Sequence, residues 1–595
     1  MMRLRALQPS RPYAAALACV IGCCARLAGA DSLTIETGDA PLVARTAAED
    51  SNVGPEGAGE VQGIATVRPE YGPPGEPEGV PSEATLEAEH AVIGEVIIDN
   101  QDIFNTNDPK DDTALFRLAD RLHVTTRPRV VRKQLLFKPG DPYSARLIRE
   151  SERILRANSY FYDAWIRIVS YKDGKVNLRV TTRDVWTLDP GINFGRSGGQ
   201  NSTGIKLEDA NLLGSGVALN FAHTKDVDRT SDSIELRDTH AFDGWTNVDL
   251  NYANLSDGHL RAFEVTRPFY ALDTRWSGSV SALDSLQIDP IYDRGEEIDR
   301  FQDHHRLLQS YYGWSRGLQG NWVQRWTVGA TYDDHLFDPA TDASGSTILL
   351  PEDRRFVYPF IEYDVVQNQY LTLWNHDQIA RTEDFQTGLT AGLRLGYAPT
   401  ALSSTSNAII IQSSIARGFY SGGSSTLLLY GDFSGRIEEG TLHNGIADFS
   451  ARYYKEQSKN WLFFSTLAGT KGWSLDRDNQ ILLGGDNGLR GYPLRYQSGD
   501  ARALLTLEQR YFTDWYPFRL FRVGGAIFFD MGRTWGSAPL AQPSLGLLKD
   551  VGLGLRLGNA RSGLGNVIHV DLAFPLDGDQ SIQKVQFLVQ TELRF

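Results

Sequence analysis

Residues 186–595 alternate between apolar and polar side chains almost without interruption, and that period constrains the chain more than any other feature. Successive residues of a strand point to opposite faces, so a two-residue period marks strands with one apolar face. Ile568, Val570, Leu572 and Phe574 share one face, and Val567, His569, Asp571 and Ala573 the other. Val551, Leu553, Leu555 and Leu557 likewise oppose Gly552, Gly554, Arg556 and Gly558. At the C-terminus Val585, Phe587, Val589, Thr591, Leu593 and Phe595 form a stripe against Gln586, Leu588, Gln590, Glu592 and Arg594. A two-layer soluble sandwich would alternate too, but would not close on an aromatic in register with the apolar stripe. The expected fold is an all-β transmembrane barrel over residues 185–595, lipid-facing on its outer side.

The N-terminus agrees with export. Arg3, Arg5 and Arg11 precede an apolar run, and Ala28-Gly29-Ala30 is a small-residue cleavage site, so residues 1–30 read as a signal peptide. Lipid attachment at Cys23 is the second reading. The chain's 3 cysteines, Cys19, Cys23 and Cys24, all fall in this segment, which leaves the mature chain without a disulfide framework or thiolate metal site. Residues 31–90 are acidic and rich in Pro and Gly, a composition that reads as a disordered linker. The net charge of -15 speaks against nucleic acid as partner.

Between linker and barrel, residues 91–184 form an α/β unit. Residues 92–98, 130–137, 165–169 and 176–180 are strand-like, and Asp173-Gly174 is a hairpin turn. Residues 114–122 are helical with Leu115, Leu118 and Leu122 on one face, and residues 144–157 carry Leu147, Ile148, Ile154 and Leu155 at helical spacing.

The functional signal lies in residues 483–532. A loop, Gly484-Gly485-Asp486-Asn487-Gly488-Leu489-Arg490-Gly491-Tyr492, precedes two alternating strands, the second holding Phe528-Phe529-Asp530-Met531-Gly532. Asp530 shares a face with Ala526, Phe528 and Gly532, while Ile527, Phe529 and Met531 face the other way. With the second face in lipid, Asp530 points into the lumen and needs a cation. Arg490 reaches it only if the loop folds inward. Glu508, on a face with Thr506 and Arg510, is placed to extend the pair.

The Leu489-Arg490-Gly491-Tyr492 loop, with Phe528-x-Asp530-x-Gly532 one hairpin later, resembles the paired signature of the BamA/TamA-like outer-membrane insertase and translocase superfamily. The β-α-α-β-β order of residues 91–184, with Leu135-Leu136-Phe137-x-Pro139-Gly140-Asp141, resembles one POTRA domain, and Phe587, Val589, Leu593 and Phe595 look like a barrel-assembly signal. Close to twenty alternating runs follow Pro190, but the resemblance implies sixteen antiparallel strands. Sixteen is the expectation, with residues 289–305 and 338–354 as long extracellular loops.

The resemblance further implies a bacterial outer-membrane location with the POTRA-like domain in the periplasm. The partners it implies are the lipid bilayer and unfolded or nascent client polypeptides, met at the POTRA edge and the barrel seam, with periplasmic chaperones or accessory lipoproteins assisting. Two rival functions stand beside insertion: a two-partner-type exporter of one secreted protein, and a channel or porin with a periplasmic domain.

Enzymatic readings are weaker. Gly195-Arg196-Ser197-Gly198-Gly199 matches G-x-S-x-G, but its surroundings are a hairpin turn rather than a strand leading into a helix. His304-His305 after Asp303 reads as a loop pair, since neighbouring side chains of an extended chain point apart. No catalytic set, metal motif or cofactor fingerprint is expected.

Overall fold

A computed structural model describes residues 77, 79–340, 347–422, 424–536, 543–559, 561–562, 567–578, 580 and 582–592. The signal segment with Ala28, Ala30 and Cys23, most of the linker, and Leu593 and Phe595 of the C-terminal stripe lie outside these residues.

Folded structure begins earlier than expected. Glu83–Ala88 is a helix capped by the Ser82 side chain on the Thr85 N–H, and it buries Leu86 in the core of the α/β unit. That unit is a three-stranded sheet with Lys175–Asp184 at its centre, parallel to Val92–Gln101 and antiparallel to Phe161–Lys172. Helices Ala114–Leu122 and Ala145–Arg156 stand where the 3.6-residue period put them, capped by Thr113 and Ser144.

One expected strand is absent. Residues 130–133 belong to a helix, Pro128–Lys133, whose proline occupies the first turn. Pro fits there because its missing N–H has no helical acceptor. Val130 and Val131 are still buried, so the apolar run was read correctly as core and wrongly as strand.

The barrel closes with twenty antiparallel strands, not sixteen. It starts at Leu188–Ser197 and ends at Gln586–Glu592, each strand pairing with the next around the cylinder. Residues 289–305 are not a loop. Trp276–Asp293 and Glu296–Gln319 pair residue against residue up to Asp293 and Glu296. Above the apolar band both faces of this hairpin carry charge, which erased the period without ending the strands.

Outward positions keep the expected pattern: Phe194, Phe263, Trp326, Ile361, Ile527 and Phe587 are exposed, whereas their strand neighbours point into a buried interior. Such an apolar outer surface on a closed sheet suits a bilayer, since closure leaves no backbone group unpaired in lipid. Among the described residues no helix is long and apolar enough to cross a membrane.

Candidate functional site

The lumen is occupied from both ends. From the end away from the α/β unit, residues 474–500, between strands Trp461–Trp473 and Ala501–Phe512, fold inward. The Arg490 guanidinium donates to both oxygens of Asp530, Nε to Oδ2 at 2.7 Å and Nη2 to Oδ1 at 2.9 Å. Its Nη1 reaches Glu508 at 2.7 Å and lies 3.6 Å from Asp571. The plane rests on the Phe528 ring, 3.4 Å from its centroid. Asp530 is fully buried and also accepts from Thr506 Oγ1 at 2.8 Å.

Besides Asp550, buried directly across from Asp530, the cluster holds three charge pairs. Arg510 donates to Glu508 at 2.9 Å, and Arg556 pairs with Asp571, which sets three guanidiniums against three carboxylates. All three guanidinium nitrogens of Arg490 have an acceptor, the condition under which a buried charge is tolerated.

Glycine lets the loop lie this close to the wall. A Cβ on Gly491 would meet Asp550 Cβ at 2.6 Å, and the Gly491 N–H donates to Asp550 at 3.0 Å. Tyr492 packs with Leu483, Leu489, Tyr496 and Leu548, and its hydroxyl donates to the Lys549 carbonyl at 2.7 Å. Gly532 leaves room for Leu483 on the wall.

The sequence showed one latch of this loop and missed three. Arg436 grips Asp476 (2.7 and 2.8 Å), Arg354 grips Asp478 (2.9 and 2.7 Å), and Arg495 grips Asp228 (2.8 and 2.7 Å), all with two bonds. The loop is therefore pinned along its whole length.

The Gly195–Gly199 stretch is a hairpin turn, as expected: Gly198 and Gly199 have φ of 52° and 83° between strands Leu188–Ser197 and Gln200–Asp209. Ser197 is the last residue of the first of these strands. It donates to the Gly485 carbonyl at 2.6 Å, tying the first barrel strand to the inward loop.

From the end beside the α/β unit comes a hairpin the sequence did not reveal, Tyr370–Trp374 with Thr382–Gln386. Its tip enters the barrel. The Tyr454 hydroxyl donates to Asp377 at 2.6 Å, and Ile379 packs with Tyr454, Phe464, Phe512, Ala526 and Val567. Its base sits on the α/β unit: Arg156 donates to both oxygens of Asp384 (2.8 and 3.0 Å), Thr382 to Asp163 (2.6 Å), and Tyr162 to the Ala380 carbonyl (2.6 Å). Arg510 Nη1 donates to the His376 carbonyl at 3.0 Å. One polar chain, Arg490–Glu508–Arg510–His376, thus joins the two insertions.

The cylinder is weakest where it closes. Among the described residues, Gln586–Glu592 and Leu188–Ser197 are matched only at Val589 and Arg196. On either side the ladders run for seven residue pairs, to Val567–Pro575, and ten, to Gln200–Asp209. Phe587 and Val589 do face outward, with Gln586, Leu588 and Gln590 buried.

The edge of the α/β sheet is partly capped. Glu152 accepts from the Ile166 N–H at 2.6 Å and Arg156 donates to the Ala164 carbonyl at 3.2 Å, on strand Phe161–Lys172.

The inward loop and its Arg490–Asp530 pair have the geometry that the resemblance to BamA/TamA-like barrels implies. No family model matches the sequence, and no curated protein does. Among solved structures, the chain is similar to BamA from Haemophilus ducreyi lacking POTRA domains 1-3, at 12% identity over 83% of this chain and 84% of that chain, with a TM-score of 0.34. It is similar to CdiB from Escherichia coli at 13% identity over 85% and 77%, TM-score 0.44. The FrpB iron transporter from Neisseria meningitidis matches at 7% identity over 86% and 96%, TM-score 0.39. Likeness at this level does not reach function.

Proposed function

We propose that this chain is an outer-membrane barrel of the BamA/TamA-like kind, which helps other polypeptides to insert, assemble or cross. The N-terminal α/β unit acts in this reading as its single periplasmic POTRA-like domain. The observation that carries the proposal is the seam: among the described residues, one matched pair between ladders of seven and ten. Unpaired strand edges are templates for another strand. A seam that parts exposes two such edges inside the bilayer, and a client strand pairing there never presents bare backbone to lipid.

Clients reach the seam from the periplasmic side. The caps on Ala164 and Ile166 occupy groups that an added strand would need, which favours the seam over that sheet edge as the pairing site.

A seam-locking disulfide tests the reading. Arg196 and Val589 are direct cross-strand partners, and such pairs have a Cα separation that suits a disulfide. Arg196→Cys with Val589→Cys is expected to fold and export normally yet lose its assembly function until reductant is added. Full function in the oxidised form overturns the seam mechanism. Depletion followed by outer-membrane proteomics separates the roles: broad loss of barrels marks an insertase, loss of one secreted protein an exporter, and altered solute uptake alone a channel.

A further inference from the structure

His304 and His305 lie in strand Glu296–Gln319, not in a loop, and their side chains part as an extended chain requires. His304 turns outward to Asp284, at 2.9 Å. His305 turns inward, directly opposite His335 of strand Trp322–Pro339, and the two rings stack with centroids 4.0 Å apart. Both are buried, as is Asp333, two residues before His335.

The Asp333 carboxylate lies beside the Nε2 edges of both rings. Its Oδ1 is 2.8 Å from His305 Nε2 and 3.6 Å from His335 Nε2. A tetrahedral ion bound at about 2.0–2.2 Å by two imidazoles and a carboxylate separates its ligand atoms by roughly 3.3–3.5 Å. The observed spacings bracket that value. One ligand atom from each of the three residues lies within 4.8 Å of the other two.

The surroundings favour an ion as well. His335 Nδ1 is held by Asp303, 3.1 and 3.2 Å from its two oxygens, which leaves Nε2 turned toward Asp333. A carboxylate behind a histidine, fixing the ring and raising its basicity, is the usual support of a metal-ligating imidazole.

We infer that His305, His335 and Asp333 form a site for a divalent transition-metal ion of the zinc class, with Asp303 orienting His335 and a solvent oxygen as the remaining ligand. Two nitrogens and one carboxylate suit Zn2+ or its neighbours and disfavour Ca2+ and Mg2+, which seek oxygen alone. The ligands lie on the barrel's extracellular extension: on these strands and the next, Arg354–Gln367, the outer face has already turned to charge, with Arg306 and Arg355 both bonded to Asp334. A bound ion would staple this hairpin beside the loop latch, because Arg354, which holds Asp478, is the cross-strand partner of His335.

The test uses the full chain refolded in detergent with Zn2+ or Co2+ alone, then desalted. One metal ion per chain is expected, with the visible absorption of a nitrogen- and oxygen-ligated Co2+ site. His335→Ala and His305→Ala/His335→Ala are each expected to lower the retained metal at least tenfold while keeping the heat-modifiable band of a folded barrel. Wild-type barrel that retains no stoichiometric metal overturns the site and leaves a hydrogen-bonded cluster. Undiminished metal in the double variant also overturns it. Should that variant not fold, the wild-type Co2+ spectrum decides: histidine ligation upholds the site, and its absence overturns it.

Discussion

Arg490 is surrounded by Asp530, Glu508 and Asp571, and its removal leaves carboxylates buried without their cation. Loss of one partner from a buried pair typically costs about 3–5 kcal/mol. Arg490→Ala and Asp530→Ala are each expected to lower the barrel's stability on that scale, read as a shift in its denaturant midpoint. The double variant should cost less than the sum of the two, because each single change strands a charge that the other removes. Unchanged midpoints in both single variants would defeat this account of the loop. Strand parity made Asp530 legible in the sequence, and the same parity placed Arg556 and Asp571 on inward faces. It did not pair them, since pairing depends on which strands stand side by side and at what height. Asp228, Asp476 and Asp478 lie in turns and loops, where no period marks a residue as facing anything.

The Tyr370–Gln386 hairpin shows how an element hides inside a regular pattern. At five residues each its strands are too short to span a bilayer, which takes about 9–11. Length was the one signal that set them apart. The two longer helices of the α/β unit, by contrast, were legible from their spacing, although Leu115, Leu118 and Leu122 are exposed and the first helix buries Phe116 instead. Where the hairpin rests on that unit, Asp163 accepts from Thr382, and burial pushes its carboxyl up to about 6 although Arg156 opposes the shift. A carboxyl raised above its unfolded value near 3.8 binds its proton more tightly when folded. Its contribution is therefore full below that value and fades as pH rises through about 6. The hairpin base is expected to be better protected from hydrogen exchange at pH 4.5 than at pH 7.5, and Asp163→Asn should flatten the difference. Equal pH dependence in the variant would assign the effect to another group.

On the scale of the whole molecule, close to twenty alternating runs were visible, and the resemblance drew the expectation down to sixteen. The direct count was the better guide, because each run of alternation past Pro190 needs its own place in the sheet. A wider cylinder encloses more space, and here two insertions fill it, the loop of residues 474–500 above and the Tyr370–Gln386 hairpin below, meeting at Glu508 and Arg510. A resting barrel so filled conducts poorly. Ile379→Asp places a charge among Tyr454, Phe464 and Phe512, which costs several kcal/mol unless the tip withdraws. Withdrawal opens the half of the lumen nearer the α/β unit while the four guanidinium latches still hold the loop. In planar bilayers the variant is expected to show conductance steps several-fold more often than the parent, and adding Arg490→Ala should lengthen the open times further. Protease cleavage within residues 375–381 would report the released tip independently. A tip shown to be released without any rise in conductance would mean that the loop alone seals the barrel.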